Sequence, residues 1–458
     1  MNLRARLRTT SALWTAPIWI GIVVFYFFHA LHLEDPYEEV IAGPLWAPQQ
    51  VSQSLFYFYA FAYGITCGLA VWEGGRLKHD GVWNLAPARS SYRIAVHTLA
   101  PVIGAGWIVL GLPVMMRLIE TGLPPTLSAL APLLLGMGLV AAWAVIGCAL
   151  GHTTPRLISA PISAIVVYYV IVATGRAEPV WLRHVSGAPD TPLNFGEQYR
   201  ALTLLVPFLF TVSVAAAVAV WWLPAARSVQ RGFRAAAGVA ALLVMAVCAH
   251  TASGWGYGNG PVSAGHASAD CVGTAPQVCL AETGGAVDRL GQVRSEIIDT
   301  VTKLREADVD VTMPETVSDS LLAGRNRKPS TREHWWLPLS QQAGRNGSGM
   351  IAIRYSVLLT SVRFPCSFPE SFDSAQSTDW IVNHDAAMLW AAVVVDADKP
   401  YLAGRRGEYG GSFQNPRQVL AKVEQRAYEA RRLPQEKQAS WFHAEQAKAC
   451  RLAPEVSR

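Results

Sequence analysis

Two histidine–carboxylate pairs are the residues best suited to chemistry in this 458-residue chain. Asp385 follows His384 directly, and Glu445 lies two positions after His443. An imidazole beside a carboxylate can move a proton, and two such pairs together can bind a metal ion. Neither pair stands in a recognisable catalytic pattern, because the chain contains no H-E-x-x-H, G-x-S-x-G or C-x-x-C sequence. Polar surface residues on two helices are the simpler interpretation, and we predict no catalytic residue, metal or cofactor for the chain itself.

An aromatic run, Glu333-His334-Trp335-Trp336, is a candidate site of another kind. Its side chains could line an aromatic ligand pocket or anchor the chain at the headgroup level of a membrane, where tryptophan is favoured. They could equally pack into a core. We favour core packing over ligand binding.

The segment from Trp72 to Arg89 is the best candidate for binding a partner. It mixes charges and glycines with the apolar residues Leu77, Val82, Trp83 and Leu85. A short amphipathic helix of this composition can lie on a membrane or insert into a groove of another protein. The alternative is an ordinary positively charged connector, and the residues alone leave both open.

Two absences restrict how the chain could use energy. It contains no G-x-x-x-x-G-K-[ST] phosphate-binding loop, and none of its long apolar runs has a carboxylate in the middle. Transporters driven by protons or sodium usually need such a carboxylate. If this protein moves a substrate, we expect the energy to come from another subunit.

Apolar runs dominate the first 251 residues, and they must position everything described so far. A spanning helix needs about 20 mostly apolar residues. Seven runs reach or approach that length: 14–32, 53–72, 94–116, 128–150, 157–174, 202–223 and 233–251. Residues 1–251 are therefore predicted to form a transmembrane domain, and 252–458 a second domain.

The basic residues predict how the spans are oriented. Arg4, Arg6 and Arg8 precede the first run, which is long, aromatic and without a cleavage site, so we expect a retained anchor. With the N-terminus inside, eleven Lys and Arg fall on the inner side and four on the outer side. Seven spans then place residues 252–458 outside the plasma membrane. The basic excess belongs to the membrane rim, and we predict no nucleic-acid partner.

Four of the seven cysteines, Cys271, Cys279, Cys366 and Cys450, fall in the second domain. An even number of cysteines on the oxidising side of a membrane suggests two disulfides. Three pairings are possible. We favour Cys271–Cys279 as a short local loop and Cys366–Cys450 as a link from the end of the chain to the middle of the domain.

The second domain is predicted to be mostly helical. Apolar residues recur at helical spacing in 283–306, 379–395 and 416–431, and a last helix begins after Leu433-Pro434 and ends near Cys450. The stretches 252–270 and 323–349 are predicted loops. The domain is electrically neutral, with 23 basic and 23 acidic residues.

The segment that follows the second span resembles a known family. Glu73, Arg76 and Gly81, followed by Leu85-Ala86-Pro87-Ala88-Arg89, are similar to the cytoplasmic segment of type-2 ATP-binding-cassette exporter permeases, in the divergent form common in actinobacteria. The resemblance implies a dimer of permease subunits in membrane lipid, working with a separate cytosolic ATPase. It also implies that Glu73, Arg76, Gly81, Trp83 and Leu85 contact that ATPase.

The end of the chain resembles the close of an extracytoplasmic domain that is fused to some of these permeases. The matching residues are Leu433, Pro434, Gln438, Trp441, His443 and Cys450. One departure is the number of spans, since the common permease has six with both ends inside.

The expectation is a polytopic α-helical membrane protein of about seven spans with a mostly helical extracytoplasmic domain. A membrane-anchored sensor or scaffold, whose exterior domain binds a ligand or partner without transport, is the alternative.

Overall fold

A computed structural model describes residues 10–30, 45–82, 90–220, 227–257, 260–282, 287–326, 329–343, 349–366, 374–412 and 415–451. The chain divides into two compact units, Met1–His266 and Ala267–Arg458, here called the N-terminal and C-terminal units.

Helices make up almost all of the described part of the N-terminal unit. In chain order they are α1 (Ser11–Trp14), α2 (Ala16–Ala30), α3 (Ala47–His79), α4 (Ser91–Thr121), α5 (Leu127–Thr153), α6 (Arg156–Thr174), α7 (Trp181–Val185), α8 (Ala201–Ala219) and α9 (Arg227–Ser253). Two short strands, β1 (Gln198–Tyr199) and β2 (Val262–Ser263), pair antiparallel in the same unit.

Six helices are long and apolar enough to cross a membrane: α3, α4, α5, α6, α8 and the part of α9 from Gln230 to Ser253. The first of the seven predicted runs, 14–32, corresponds mainly to α2, which is shorter, and residues 31 and 32 lie outside the described ranges. This half of the chain therefore has the helices of a membrane-embedded protein, with six spans by length and composition.

Helix α3 is the centre of the N-terminal unit. In its most apolar stretch 72% of the residues are buried, against 11% in α9. It packs along α4, α5 and α6. At 33 residues it is about 50 Å long, whereas the hydrocarbon core of a bilayer is about 30 Å thick. Helix α3 is therefore longer than a helix needs to be to cross that core.

Glycines let α3 approach its neighbours closely. A Cβ added at Gly147 of α5 would meet the Ala70 Cβ at 3.0 Å, and one added at Gly151 would meet the Gly75 nitrogen at 2.8 Å. A Cβ at Gly68 of α3 would lie 2.8 Å from the Ala164 Cβ of α6. Small residues of this kind drive helix association in membranes, because the lipid tails are as apolar as the helices themselves.

The C-terminal unit contains a four-stranded sheet and seven α-helices in its described residues. The strands are β3 (Ala269–Val272), β4 (Gln277–Ala281), β5 (Thr316–Asp319) and β6 (His334–Leu337), in the order β3-β4-β5-β6. The first pair is antiparallel and the other two pairs are parallel. The helices are α10 (Leu290–Glu306), α11 (Leu339–Ala343), α12 (Gly349–Ser361), α13 (Ser374–Val394), α14 (Asp398–Ser412), α15 (Pro416–Arg431) and α16 (Gln435–Arg451).

One apolar core joins the sheet to these helices. Val293, Ile297 and Val301 from α10 belong to the same cluster as Val278 and Val317 from the sheet. Trp390 of α13 packs against Phe442 of α16, with ring centroids 5.2 Å apart. Leu290, Val293, Ile297 and Val301 recur at three- and four-residue intervals along α10, which is why that helix was predictable from sequence.

The predicted helical character of this unit is confirmed, but the sheet was not predicted. Strand β6 lies inside the predicted loop 323–349, and Ala269 and Asp270 of β3 lie in the predicted loop 252–270. Each strand has only four or five residues, which is too short for an alternating pattern to stand out.

Candidate functional site

Glu73, the first of the five residues predicted to contact a partner, is a buried carboxylate near the end of α3. Its exposed fraction is 1%. The Ser11 backbone N–H and the Ser11 hydroxyl donate to Glu73 Oε1 at 2.8 and 2.7 Å. Arg76 Nη1 lies 3.3 Å from Glu73 Oε2. A buried carboxylate needs such partners, since an unpaired one would carry a large desolvation cost.

Together, Ser11, Glu73 and Arg76 form what we call the Glu73 cluster. Ser11 is the first residue of α1, so the carboxylate accepts from a helix N-terminus, where negative charge is favoured. The cluster thereby ties the start of the described chain to the end of α3. Glu73 and Arg76 stand out in the sequence but Ser11 does not, because nothing in the spacing relates residues 62 positions apart.

Gly81 ends α3. Its φ of 61° lies in the left-handed region that favours glycine. The Gly81 N–H donates to the Lys78 carbonyl at 3.1 Å, and the Val82 N–H donates to the Leu77 carbonyl at 3.2 Å. This pair of bonds is the Schellman arrangement, which satisfies the last carbonyls of a helix. The helix end therefore explains the glycine at position 81 without a contact to any partner.

Trp83 and Leu85, the two apolar members of the predicted contact set, lie outside the described residues, as do Ala86, Pro87, Ala88 and Arg89. The described chain stops at Val82 and resumes at Ser90, just before α4. The structure thus brings Glu73, Arg76 and Gly81 to one end of α3, from which the segment 83–89 departs.

The same end of α3 is packed closely against α5 and α6. A Cβ added at Gly74 would lie 3.0 Å from the Cys148 Cα, and one at Gly75 would lie 2.6 Å from the Arg156 Cβ. The Arg156 guanidinium lies over the Trp72 ring at 5.3 Å. Three helices are therefore held together where the Glu73 cluster lies.

An apolar groove of about 570 Å³ runs beside the Glu73 cluster. Its walls include Trp19 of α2, Leu69 and Trp72 of α3, and Pro161 of α6, with Ser11 and Arg76 at one side. This lining suits an acyl chain or the apolar part of an amphiphile.

In the C-terminal unit, His384 and Asp385 form the centre of a buried polar network. His384 Nδ1 and Asp385 Oδ1 are 2.7 Å apart, Arg405 Nε is 3.3 Å from Asp385 Oδ2, and the Tyr409 hydroxyl donates to that same oxygen. Burial by itself raises the pKa of the Asp385 carboxyl, but the hydrogen bond from His384 and the charge of Arg405 hold that pKa below its ordinary value. The carboxylate is thus a fixed anion that links α13 to α14.

Aromatic rings cover the His384 imidazole. Trp380 stacks on it with centroids 4.6 Å apart, and the Phe364 centroid is 4.3 Å away. The ring is therefore held in place by stacking as well as by Asp385. Arg405 and Tyr409 were not identified from sequence, because they lie a helix away from the pair.

The second pair, His443 and Glu445, is engaged elsewhere. His443 Nε2 is 3.0 Å from the Asp308 carbonyl oxygen, whereas Glu445 contacts Arg426 and Lys448 at 3.4 and 2.6 Å. Among the residues that the structure describes, no three His, Cys, Asp or Glu side chains come together as a metal site.

The aromatic run 333–336 includes most of strand β6. Trp335 is 2% exposed and belongs to the core, while Trp336 stacks on His334 with centroids 4.5 Å apart. Core packing therefore accounts for Trp335, the first of the two tryptophans.

The four cysteines of the C-terminal unit form two disulfides. Cys271 bonds Cys279 across the antiparallel pair β3–β4, and Cys366 bonds Cys450 of α16 over a separation of 84 residues. This is the pairing that the sequence analysis favoured. Cys67, Cys148 and Cys248 are free and buried in the N-terminal unit.

Asp319, which the sequence analysis did not single out, is a second buried carboxylate. The backbone N–H groups of Ser340, Leu321 and Ala281 donate to it at 3.0, 3.2 and 3.4 Å. Burial raises its pKa to about 6, although these hydrogen bonds oppose the shift. It connects β4, β5 and α11 and has no cation among those partners.

Comparisons with known proteins add no relative. No protein-family profile matches the chain, and neither a curated protein nor a solved structure matches it.

Proposed function

We propose that this chain is the transmembrane subunit of an ATP-driven exporter and that a separate cytosolic ATPase contacts it through the segment between α3 and α4. In this proposal α2 is a seventh span, the N-terminus is cytoplasmic and the C-terminal unit lies outside the plasma membrane. The functional unit is a dimer of permease subunits. The resemblance at Glu73, Arg76 and Gly81 suggested the family, and the geometry at the end of α3 supports the role.

The observation that carries the proposal is the Glu73 cluster at the end of the longest and most buried candidate span. The cluster ties α1 to α3, and close packing at Gly74 and Gly75 ties α3 to α5 and α6. A force on the segment 83–89 would therefore move several helices together. Rigid-body motion of packed helices is how membrane transporters usually alternate access.

The absence of a phosphate-binding loop in the sequence is consistent with this division of labour. Hydrolysis would take place in the partner, and this chain would supply the path. Its apolar spans are compatible with a lipid or another amphipathic substrate.

The test is co-purification of the ATPase with the full-length tagged protein. The double substitution Trp83→Asp and Leu85→Asp should abolish recovery of a protein with a phosphate-binding loop, identified by mass spectrometry. The matched control, Pro125→Asp with Leu127→Asp, changes two exposed apolar residues between α4 and the start of α5 and should leave recovery intact. Undiminished recovery with the 83/85 variant would contradict the proposed contact.

A sensor or scaffold is the second candidate, and the separate core of the C-terminal unit favours it. The genomic neighbourhood separates the two. A neighbouring gene for an ATPase with a phosphate-binding loop supports the exporter, and a neighbouring kinase or regulator supports the sensor.

A further inference from the structure

A second cavity, of about 540 Å³, lies within the C-terminal unit. It is bounded by the segment 309–312, the end of α12 with the residues after it, and the face of α16 that carries His443. Cavities that bind small molecules typically measure roughly 300–1,000 Å³. This one has the size of a ligand site, and its lining differs from the apolar groove of the N-terminal unit.

One part of the lining is aromatic and held in place. Trp335 is 2% exposed, and its backbone belongs to strand β6 of the sheet. Phe364 packs against the His384 ring, which Trp380 and Asp385 hold from other sides. A flat or apolar group can therefore bind against the Phe364 ring, with the buried Trp335 beneath the lining, without reordering either ring, which lowers the entropic cost of binding.

The lining of the cavity carries two guanidinium groups and one carboxylate. Arg332 and Arg363 both line it with Asp310, whereas His443, which also lines it, lies 3.6 Å from the Asp308 carboxylate. Arg363 Nη2 donates to the Ser330 carbonyl at 3.0 Å, which orients its guanidinium. A guanidinium binds carboxylate and phosphate oxygens with two parallel hydrogen bonds, so two arginines at one opening favour an anion.

Ser361, at the end of α12, supplies an observation of another kind. Its exposed fraction is 8%, it is one of the residues that line the cavity, and its buried hydroxyl has no hydrogen-bond partner in the structure. Buried hydroxyl groups are nearly always paired, because an unpaired one is destabilising. A rotation of this side chain toward the cavity would give the hydroxyl a partner on a bound ligand.

The wall that carries Phe364 is covalently fixed. Cys366 comes two residues later and is bonded to Cys450 on α16, the helix that also carries His443. The disulfide thus holds two sides of the cavity together.

We infer that this cavity binds a small organic anion, in which a carboxylate or phosphate group is attached to an aromatic or apolar group. The anionic group binds Arg332 and Arg363, the Ser361 side chain rotates to donate to one of its oxygens, and the apolar group packs on Phe364. The inference rests on the C-terminal unit alone and does not depend on the proposed export function.

The first test compares matched probes on the full-length protein in detergent by isothermal titration calorimetry. N-acetyl-L-phenylalanine and phenyl phosphate are the anionic probes, and the neutral N-acetyl-L-phenylalaninamide is their control. At least one anion should bind at roughly millimolar or lower concentration, and the amide should bind at least about tenfold more weakly. Which anion binds more tightly identifies the carboxylate or phosphate class. Equal binding of the amide, or no binding of either anion, would overturn the inference.

Variants then assign the residues. Arg332→Gln and Arg363→Gln should each weaken anion binding about tenfold or more, because each removes a charged donor. Arg406→Gln, an exposed arginine of α14 outside the cavity, is the control and should bind as the wild type does. Unchanged binding in both cavity variants would refute the assignment.

Ser361→Ala separates a ligand site from a packing defect. Removing an orphan buried hydroxyl should leave the thermal midpoint unchanged or raise it, while anion binding becomes several-fold weaker. Unchanged anion affinity in this variant would show that the hydroxyl does not contact the ligand.

Discussion

The two buried carboxylates with the clearest surroundings, Glu73 and Asp319, differ in their partners. Glu73 has a cation and a helix N-terminus, whereas Asp319 has only backbone N–H donors. The first arrangement links separate parts of the chain by charge. The second holds a carboxylate where its ionisation is unfavourable. Each leads to a prediction about a single residue.

Replacing Glu73 should loosen the attachment of α1. Glu73→Ala removes the acceptor of the Ser11 N–H and the Ser11 hydroxyl and one partner of the Arg76 guanidinium, and we expect it to destabilise the protein by about 2–4 kcal/mol. The measurement is the thermal midpoint of the full-length protein in detergent, with limited proteolysis near Ser11 as a local readout.

Glu120→Ala is the matched control for Glu73. Glu120 also pairs with an arginine three positions away, Arg117 at 3.2 Å, but it is solvent-exposed. Exposed pairs of this kind contribute about 0–1 kcal/mol. Equal effects of the two substitutions would mean that the Glu73 cluster is not a structural attachment.

Asp319 should make the C-terminal unit lose stability as pH rises. Its pKa in the folded state, about 6, lies above its ordinary value of 3.8, so the folded state binds the proton more tightly. The stabilising contribution is complete below about pH 4 and is lost as pH rises through about 6, by about 3 kcal/mol in all. Asp319→Asn should remove this decline, as measured by the free energy of amide-hydrogen exchange in β4 and β5.

Asp385→Asn is the contrasting control for that pH dependence. The pKa of Asp385 lies below its ordinary value, so its contribution is present at neutral pH and is lost only in acid. The decline in stability between pH 4 and 6 should persist in this variant. If that decline also persists in Asp319→Asn, a group other than Asp319 causes it.

At the scale of elements, helix α3 organises the N-terminal unit. Small residues along it and along α5 and α6 permit backbone contact, and Glu73 and Arg76 lie toward its C-terminal end. The repetition of glycine along these spans is visible in the sequence. Which glycines face another helix is not, because lipid and a neighbouring helix are equally apolar.

Two glycines test this distinction. Gly151→Ala should destabilise the protein by about 1–3 kcal/mol, because its Cβ would overlap the α3 backbone near Val71 and Gly75. Gly111→Ala, on α4 with no atom within 4 Å of the new Cβ, should be neutral or up to about 1 kcal/mol stabilising. Thermal midpoints in detergent compare them. Equal midpoints would show that α3 and α5 do not pack through Gly151.

The elements of the C-terminal unit show where sequence patterns succeed. Helix α10 was predicted from Val293, Ile297 and Val301, which recur on one face and are all buried in the core. The strands β5 and β6 pair with partners 18 to 39 residues away, so tertiary contacts decide their conformation. Trp335 appeared as an aromatic in a polar stretch, and only the sheet accounts for its burial.

At the scale of the whole molecule, the chain joins an apolar helical unit to a disulfide-bonded unit with its own core. Disulfides persist in oxidising compartments, which supports an exterior position for the C-terminal unit. The basic residues around the apolar runs favour the same topology.

Thiol labelling on intact cells tests that topology. In a variant with Cys67, Cys148 and Cys248 replaced by alanine, mild reduction should make the remaining cysteines react with a membrane-impermeant maleimide. A cysteine introduced by Ser90→Cys, in the predicted cytoplasmic segment, should react only after lysis. The reverse pattern would place the C-terminal unit inside and would require both the seventh span and the exporter topology to be rebuilt.

The sequence by itself determined the apolar helices and the division into two kinds of structure, and it singled out Glu73, Arg76 and the four cysteines. These features depend on local composition and on the spacing of residues along one helix, and both are properties of the sequence itself. Only the tertiary structure decided that Glu73 binds Ser11, that His384 and His443 have separate partners, and that Ser361 shares a cavity with Arg332 and Arg363. Those contacts join residues far apart in the chain. Their energies depend on the distances between side chains and on their burial, and a local sequence pattern gives neither.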